Sequence, residues 1–157
     1  MKLSVHANSS VNVAGLEGVL QTWERESQWT PDVILIDYAD ILAPPVGVVE
    51  SRDQINATWK QLRALSQRRH CLVITATQTD AESYKVGILS RSNFSEDKRK
   101  FAHVTGMLGL NVSEEDKDNQ VTRLNWILRR ERKFSDSKLC HVAGCLDLGA
   151  PAILSSF

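Results

Sequence analysis

The segment Asp32–Leu42 reads DVILIDYADIL, and it decides the fold of the chain. Its first part, Val33–Ile36, is a continuous aliphatic run, which is typical of a parallel strand buried on both faces. Asp37 follows this run directly, so it lies at the carboxyl end of the predicted strand. Because open α/β sheets bind their ligands at that end of the strands, Asp37 is the first candidate for a functional residue.

The residues after this segment predict a crossover helix and a second strand. Asp53 is placed to cap the helix. The apolar stripe of that helix comprises Ile55, Trp59, Leu62 and Leu65. A second apolar run, Leu72–Ala76, follows the helix closely. A strand, a helix and a strand make a right-handed βαβ unit, so the predicted fold class is α/β with a parallel sheet at its core.

The flanking regions predict one more helix and three more strands. An amphipathic helix is predicted from Ser10 to Glu24, with Ser10 as a possible cap. The polar stretch from Thr79 to Lys100 predicts a long surface loop with a short helix around Ser95–Phe101. The three strands are predicted over Val104–Leu110, Thr122–Leu128 and Leu139–Leu148. Because short polar turns separate these strands, we expect the sheet to end in an antiparallel meander.

Length and composition limit the class of protein. With 157 residues, 42% of them hydrophobic, the chain can form a core, and we predict a single domain over residues 1–157. Nineteen basic and nineteen acidic residues cancel, so any site for a polyanion must be local. The sequence shows neither an apolar stretch of about 18 residues nor a signal-like leader, and it has only three cysteines. We therefore expect a cytoplasmic protein that does not enter a membrane.

Three motifs, taken in chain order, resemble the DnaB-type replicative helicases. The segment DVILIDYADIL resembles the Walker B segment of that family, in which an apolar strand ends in Asp-Tyr. The strand that ends in Thr77-Gln78 resembles the family's sensor motif, in which a strand ends in Ser-Gln. The segment WILRRERK, residues 126–133, resembles a strand that ends in Lys-x-Arg. Arg130 and Arg132 stand at the two basic positions, and Arg130 departs from the family's lysine.

The resemblance implies a role for each of these residues. Asp37 would hold the Mg²⁺ of bound ATP through water, and Gln78 would contact the γ-phosphate or the attacking water. Arg130 and Arg132 would reach the nucleotide of a neighbouring subunit, where a guanidinium pairs well with phosphate oxygens. Plain alternatives stay open: a turn after a core strand for Asp37, an amide closing a strand for Gln78, and a solvated basic turn or a contact to a nucleic-acid backbone for the arginines.

The polar stretch after Gln78 corresponds in position to the DNA-binding loop of the same family. Its basic side chains are the candidate contacts to DNA, which the resemblance implies to be single-stranded. These candidates are Lys85, Arg91, Lys98, Arg99 and Lys100. A basic loop that is only solvated is the alternative, because such loops are common on protein surfaces.

The resemblance covers about residues 8–153, and it corresponds to the second half of the RecA-like motor domain alone. The phosphate-binding pattern GxxxxGK[ST] does not occur in the sequence. Without the backbone amides of that loop we expect no tight ATP binding by this chain alone, although the complete motor would use Mg²⁺ and ATP. A piece of a longer helicase, the product of a split gene and a degenerate paralogue all fit this pattern.

The predicted function is therefore that of a fragment or subunit of a DnaB-like replicative DNA helicase. Its expected partners are DNA and either further copies in a hexameric ring or a separate half that carries the P-loop. A non-catalytic RecA-like adaptor in a replication or repair assembly is one alternative. A metal-dependent nuclease is the other, and it would use Asp37 together with Asp40, two carboxylates three residues apart.

Overall fold

The structure, a computed structural model, describes residues 1–81, 83, 86–145 and 150–156, without the side chains of residues 95–97, 145 and 150–155. The chain divides into two compact units, Met1–Gln78 and Thr79–Phe157, and each is described by itself. The single domain expected over residues 1–157 stays a prediction. No helix of the described residues is long and apolar enough to cross a membrane.

The first unit contains two helices and a pair of parallel strands. Its elements in chain order are α1 (Val13–Ser27), β1 (Val33–Ile36), α2 (Ser51–Arg69) and β2 (Leu72–Thr75). The register pairs Val33 with Leu72 and Ile36 with Thr75. The predicted α/β class and the parallel βαβ unit are therefore confirmed.

Both helices of the first unit begin at positions other than those predicted. Asn12 caps α1, because its Oδ1 accepts a hydrogen bond from the backbone N–H of Gly15 at 2.9 Å, and Ser10 lies outside the helix. Helix α2 begins at Ser51, so Asp53 lies within its first turn instead of capping it. A carboxylate in that turn still complements the partial positive charge of the helix amino terminus.

The face that α2 buries agrees with the predicted apolar stripe. Trp59, Leu62 and Leu65 are 4%, 4% and 0% exposed. Cys71, directly before β2, is also buried, and burial raises the pKa of its thiol while the charge of Arg69 opposes the shift. A neutral buried thiol is a poor nucleophile, so Cys71 acts as a small core residue.

The prediction that β1 is buried on both faces was wrong. Val33 and Leu35 are 50% and 75% exposed, and their partners in β2, Leu72 and Ile74, are 53% and 45% exposed. The alternate residues of both strands are half-buried. A parallel sheet is buried on both faces only if other parts of the protein pack against each face. The described residues cover one face of this sheet.

The second unit is an antiparallel meander, as predicted. Its strands are β3 (Gly106–Asn111), β4 (Val121–Arg129), β5 (Leu139–Cys145) and β6 (Ala150–Ser156), paired in that order. A short helix, α3 (Glu114–Asp118), connects β3 to β4. Strand β6 was not predicted. The last part of the predicted third strand, residues 146–148, lies outside the described residues.

The parallel and antiparallel parts form two sheets instead of the one sheet that was predicted. In the described ranges β1 pairs with β2 alone, and β3 to β6 form a sheet of four strands. The predicted loop after β2 is also shorter than expected, because a 3₁₀ helix covers Arg91–Ala102. Phe94 and Phe101 of that helix pack edge to face, with ring centroids 5.6 Å apart.

A buried pair of amides holds the second unit together. Asn111 and Asn125 are 6% and 2% exposed, and the Nδ2 of Asn111 donates to the Oδ1 of Asn125 at 3.0 Å. The Nδ2 of Asn125 donates to the carbonyls of Leu89 and Asp136 at 2.8 and 3.1 Å. A Cβ at Gly109 would lie 2.5 Å from the Oδ1 of Asn125, so the pair also requires a glycine in β3.

Candidate functional site

Two chain segments leave the first sheet at the same edge. Because β1 and β2 are parallel and in register, the residues after Ile36 and those after Thr75 emerge side by side. The hydroxyl of Thr75 joins the segments, since it donates to the carbonyl of Ile36 at 2.9 Å and accepts from the backbone N–H of Ala39 at 2.8 Å. The predicted adjacency of the Asp37 strand and the Gln78 strand is confirmed.

Asp40 forms a second and stronger connection between these segments. Its Oδ2 accepts a hydrogen bond from the hydroxyl of Thr77 at 2.6 Å, and its Oδ1 accepts one from the indole N–H of Trp59 at 3.0 Å. Trp59 is a core residue of α2. The carboxylate therefore fixes the segment after β1 to the segment after β2 and to the crossover helix, and its bond to Thr77 has the short distance of a charge-assisted hydrogen bond.

The two residues proposed to contact nucleotide lie next to this connection. Asp37 and Gln78 are both exposed, and the Nε2 of Gln78 donates to the hydroxyl of Tyr38 at 3.4 Å. The peptide bond between Asp37 and Tyr38 is cis. A solvent-accessible carboxylate and a carboxamide therefore share one edge of a parallel sheet, which is the usual place for a ligand in this class of fold.

The side chains at this edge could contribute only a small part of the ligands of a metal ion, and water or a bound nucleotide would supply the rest. The described residues contain no group of three or more His, Cys, Asp or Glu side chains that could hold a metal. Asp37 alone would support Mg²⁺ through water, since this ion keeps much of its hydration shell. Each oxygen of Asp40 accepts one hydrogen bond, from Trp59 or from Thr77, so in this arrangement the carboxylate connects chain segments, and the nuclease hypothesis stays a prediction.

The two arginines after β4 differ in their surroundings. The Nε of Arg130 donates to the carbonyl of Val104 at 2.7 Å, and its Nη2 donates to the carbonyls of Phe101 and Ala102 at 2.8 and 2.9 Å. These bonds satisfy carbonyl groups at the end of the 3₁₀ helix, which is a structural task for a cation. Arg132 is exposed in the bend after the strand. The trans-acting role of both residues stays a prediction.

The candidate DNA-binding residues also differ from one another. Arg91 donates from Nε to the carbonyl of Ile127 at 3.2 Å. Lys98 and Arg99 are exposed on the 3₁₀ helix, whereas Lys100 is 7% exposed. Lys85 lies outside the described residues. Lys98 and Arg99 therefore offer more surface to a phosphate than Lys100 does.

The sequence analysis missed the residues that hold the edge together. Asp40 was noticed only as a second carboxylate for a nuclease, and Thr75 and Thr77 only as parts of an apolar run and of a motif. A β-branched hydroxyl at the end of an apolar strand was the available signal, since such a group needs a partner when it is half-buried. Its partners could not be predicted, because they depend on the register of β1 with β2.

The fold has clear counterparts among solved structures. A solved ATPase domain of a DnaB-like helicase, called the reference ATPase domain below, superimposes with a TM-score of 0.76 at 14% identity, over 92% of this chain and 52% of that one. A DnaB-like replicative helicase, solved in a study of its interactions with primase, superimposes with a TM-score of 0.70 at 13% identity, over 85% of this chain and 32% of that one. Neither a protein-family model nor a curated protein matches the chain.

The chain has part of the fold of a DnaB-type helicase ATPase domain. The predicted resemblance and the partial RecA-like fold are thereby confirmed. At 13–14% identity the likeness concerns the fold alone, and the chain spans about half the length of the reference ATPase domain.

Proposed function

We propose that this chain is the second half of a DnaB-like helicase motor and contributes Walker B, sensor and arginine elements to ATP-driven DNA unwinding. The observation that carries the proposal is the shared edge, where the parallel register brings Asp37 and the Thr77-Gln78 segment together. The same fold in a DnaB-like replicative helicase supports it. We expect the motor to work in the cytoplasm.

In the complete motor, Asp37 would accept hydrogen bonds from the water shell of Mg²⁺, and this ion would neutralise charge on the phosphates of ATP. Gln78 would donate its amide N–H to the γ-phosphate or orient the attacking water. Asp40 would keep Thr77, and with it the start of the Gln78 segment, at a fixed distance from the Asp37 segment. The P-loop would come from a part of the motor that these 157 residues do not include.

The two arginines would contact a neighbouring subunit, and the basic 3₁₀ helix would contact DNA. Arg132 is exposed and suits a contact with the nucleotide of a neighbouring copy in a hexameric ring, and Arg130 would support the same turn. Single-stranded DNA would contact Lys98 and Arg99, with contributions from Lys85, Arg91 and Lys100. Such contacts act mainly on phosphates and give little sequence preference.

The test is a fusion of a P-loop half, taken from the reference ATPase domain, to the amino terminus of this chain. We expect DNA-stimulated ATP hydrolysis that Asp37→Asn lowers by about 10²- to 10³-fold, because the charge that orients the Mg²⁺ shell is lost. Asp32→Asn is the matched control, since Asp32 is an exposed carboxylate before β1, at the opposite end of the strand. Equal rates for both variants would contradict the proposed role of Asp37.

The adaptor and nuclease hypotheses make different predictions for the unfused chain. An adaptor would bind a helicase ring but give no hydrolysis in the fusion. A nuclease would nick plasmid DNA in Mg²⁺, and Asp37→Ala would abolish the nicking. We expect neither nicking nor measurable heat with Mg-ATP from the unfused chain, because the phosphate cradle is missing from its sequence.

A further inference from the structure

One side chain holds the carbonyl groups at the end of the basic 3₁₀ helix. The Nε of Arg130 donates to the carbonyl of Val104 at 2.7 Å. Its Nη2 donates to the carbonyls of Phe101 and Ala102, the last two residues of the helix, at 2.8 and 2.9 Å. Carbonyls at the end of a helix lack a partner within it and carry partial negative charge, so a cation is favourable there. The guanidinium therefore closes the last turn of this helix.

The backbone of Arg130 and the beginning of the helix are also held in place. The backbone N–H of Arg130 donates to the carbonyl of Thr105 at 3.0 Å, so the side chain extends from a fixed point. At the other end of the helix, the Nε of Arg91 donates to the carbonyl of Ile127 in β4 at 3.2 Å. The helix is therefore attached to β4 at its beginning and to the residue directly after β4 at its end.

The residue type at position 130 suits this attachment. The helicase family that the sequence resembles has a lysine there, and this chain has an arginine. Arginine presents its N–H groups in a rigid planar fork, so its Nε and Nη2 can bond separate carbonyls at the same time. Lysine carries its donors on one nitrogen at the end of a flexible stem. The difference from the family therefore favours a fixed helix end.

We propose that Arg130 is a positioning residue for single-stranded DNA, because it holds the last turn of the basic 3₁₀ helix in the arrangement that contacts phosphate. The inference rests on the proposed function, and it gives Arg130 a task other than that of a nucleotide ligand. Lys98 and Arg99 are exposed and lie within about one turn of Phe101, whose carbonyl Arg130 bonds. A surface that is ordered before binding loses less conformational entropy when it binds, which raises its affinity.

The alternative is a direct contact between Arg130 and a phosphate group of DNA or of a nucleotide. The side chain is exposed, so its charge alone does not decide between the two roles. A direct contact would have to replace the hydrogen bonds to the three carbonyls or share the guanidinium with them. Arg130→Lys distinguishes the roles, because it keeps the charge that phosphate needs and removes the fork that the carbonyls need.

The first experiment compares the unfused chain with its Arg130→Lys variant. The backbone N–H of His103 donates to the carbonyl of Lys100 at 3.0 Å, and its hydrogen exchange should be about tenfold faster in the variant, because the helix end opens more often. A fluorescein-labelled oligothymidylate should bind about fivefold more weakly in fluorescence anisotropy, as for a surface that binding must first order. Arg52→Lys is the matched control, since Arg52 is exposed on α2, and it should change neither result.

The affinity for DNA decides the outcome of this comparison. Equal affinity of the wild type and a folded Arg130→Lys variant would overturn the proposal, whether or not the exchange rate of His103 changes. The absence of oligothymidylate binding by the wild type would overturn it as well. Circular dichroism and urea denaturation check that the variant is folded and that its overall stability is close to that of the wild type.

A measurement on the wild type decides the question even if the variant does not fold. The Nε–H group of Arg130 should give a nuclear magnetic resonance signal that persists when oligothymidylate is added, because its bond to the carbonyl of Val104 remains. The backbone signals of Lys98 and Arg99 should shift in the same titration. Loss of the Arg130 signal on addition of DNA would mean that the guanidinium leaves the carbonyls for phosphate, and it would overturn the proposal.

Failure of this inference can be distinguished from failure of the proposed function. In the fusion with a P-loop half, Arg130→Lys should raise the DNA concentration for half-maximal stimulation about fivefold, whereas loss of a nucleotide ligand would lower kcat at saturating DNA. A lower kcat without a change in that concentration would overturn the positioning role. An inactive wild-type fusion would remove the proposed motor activity, and the binding of oligothymidylate by the unfused chains would still decide the role of Arg130.

Discussion

The two units use polar side chains for opposite purposes. In the second unit the polar pair Asn111 and Asn125 is buried inside the meander, and the amide N–H groups of both have partners. In the first unit the polar groups stand at an open sheet edge, where Asp37 and Gln78 are exposed. Buried amides whose hydrogen bonds are satisfied stabilise a fold, whereas exposed groups at a strand end contribute little to stability and are accessible to a ligand.

Replacement of Asn125 should have the largest effect on stability. Asn125→Ala leaves the Nδ2 group of Asn111 and the carbonyls of Leu89 and Asp136 without this partner in a buried place. We expect a loss of about 3 kcal/mol in the free energy of unfolding of the second unit, measured by urea denaturation. Asp37→Asn should change stability by no more than about 0.5 kcal/mol, because its side chain is exposed. Equal losses would remove the contrast between the two regions.

Gly109 and Gly18, one glycine from each unit, should respond to alanine substitution in opposite directions. A Cβ at Gly109 would lie 2.5 Å from the Oδ1 of Asn125 and 3.0 Å from the Cδ1 of Ile127, so Gly109→Ala should destabilise the meander by about 1–3 kcal/mol. Gly18 lies in α1 with open space around it, and Gly18→Ala should stabilise the first unit by about 0.5–1 kcal/mol. Thermal unfolding of both variants shows whether each substitution raises or lowers stability. No change in Gly109→Ala would mean that the side chains around Gly109 move to make room for the added methyl group.

The hydrogen bond between Thr77 and Asp40 should give a smaller but specific effect. A double-mutant cycle with Asp40→Ala and Thr77→Ala isolates this contact from the other losses of each variant. We expect a coupling free energy of about 1 kcal/mol, since the bond is charge-assisted but only partly buried. The matched cycle pairs Asp40→Ala with Thr22→Ala, a threonine of α1 that bonds within its own helix. Similar coupling in both cycles would mean that Asp40 does not hold the sensor segment.

The sequence predicted the elements better than it predicted their surroundings. Val33–Ile36 and Leu72–Thr75 are strands because β-branched and aliphatic runs specify them locally, and their parallel pairing follows from the crossover helix between them. The same run suggested burial on both faces, which depends on what packs against the sheet and is not specified by the run itself. The position of Asp37 and Gln78 at one sheet edge was predicted correctly, because a strand end can be read from sequence. The contacts of Asp40 and the buried Asn125 were missed, because each depends on register between segments distant in sequence.

Asp116 should give the smallest effect, one that appears only in acid. The backbone N–H and the hydroxyl of Ser113 donate to its carboxylate, with Arg123 adding a further bond, and these contacts lower the pKa of Asp116 below its ordinary value. A group with a depressed folded-state pKa adds stability that is complete above its unfolded pKa of about 3.9 and is lost as pH falls through the lower folded value. Asp116→Asn should therefore reduce stability at pH 6 and flatten its pH dependence below about pH 4. Ser113→Ala removes one of the donors and should give an intermediate slope in urea denaturation at a series of pH values. If Asp116→Asn leaves the fall in stability below about pH 4 unchanged, another carboxylate is responsible for the pH dependence.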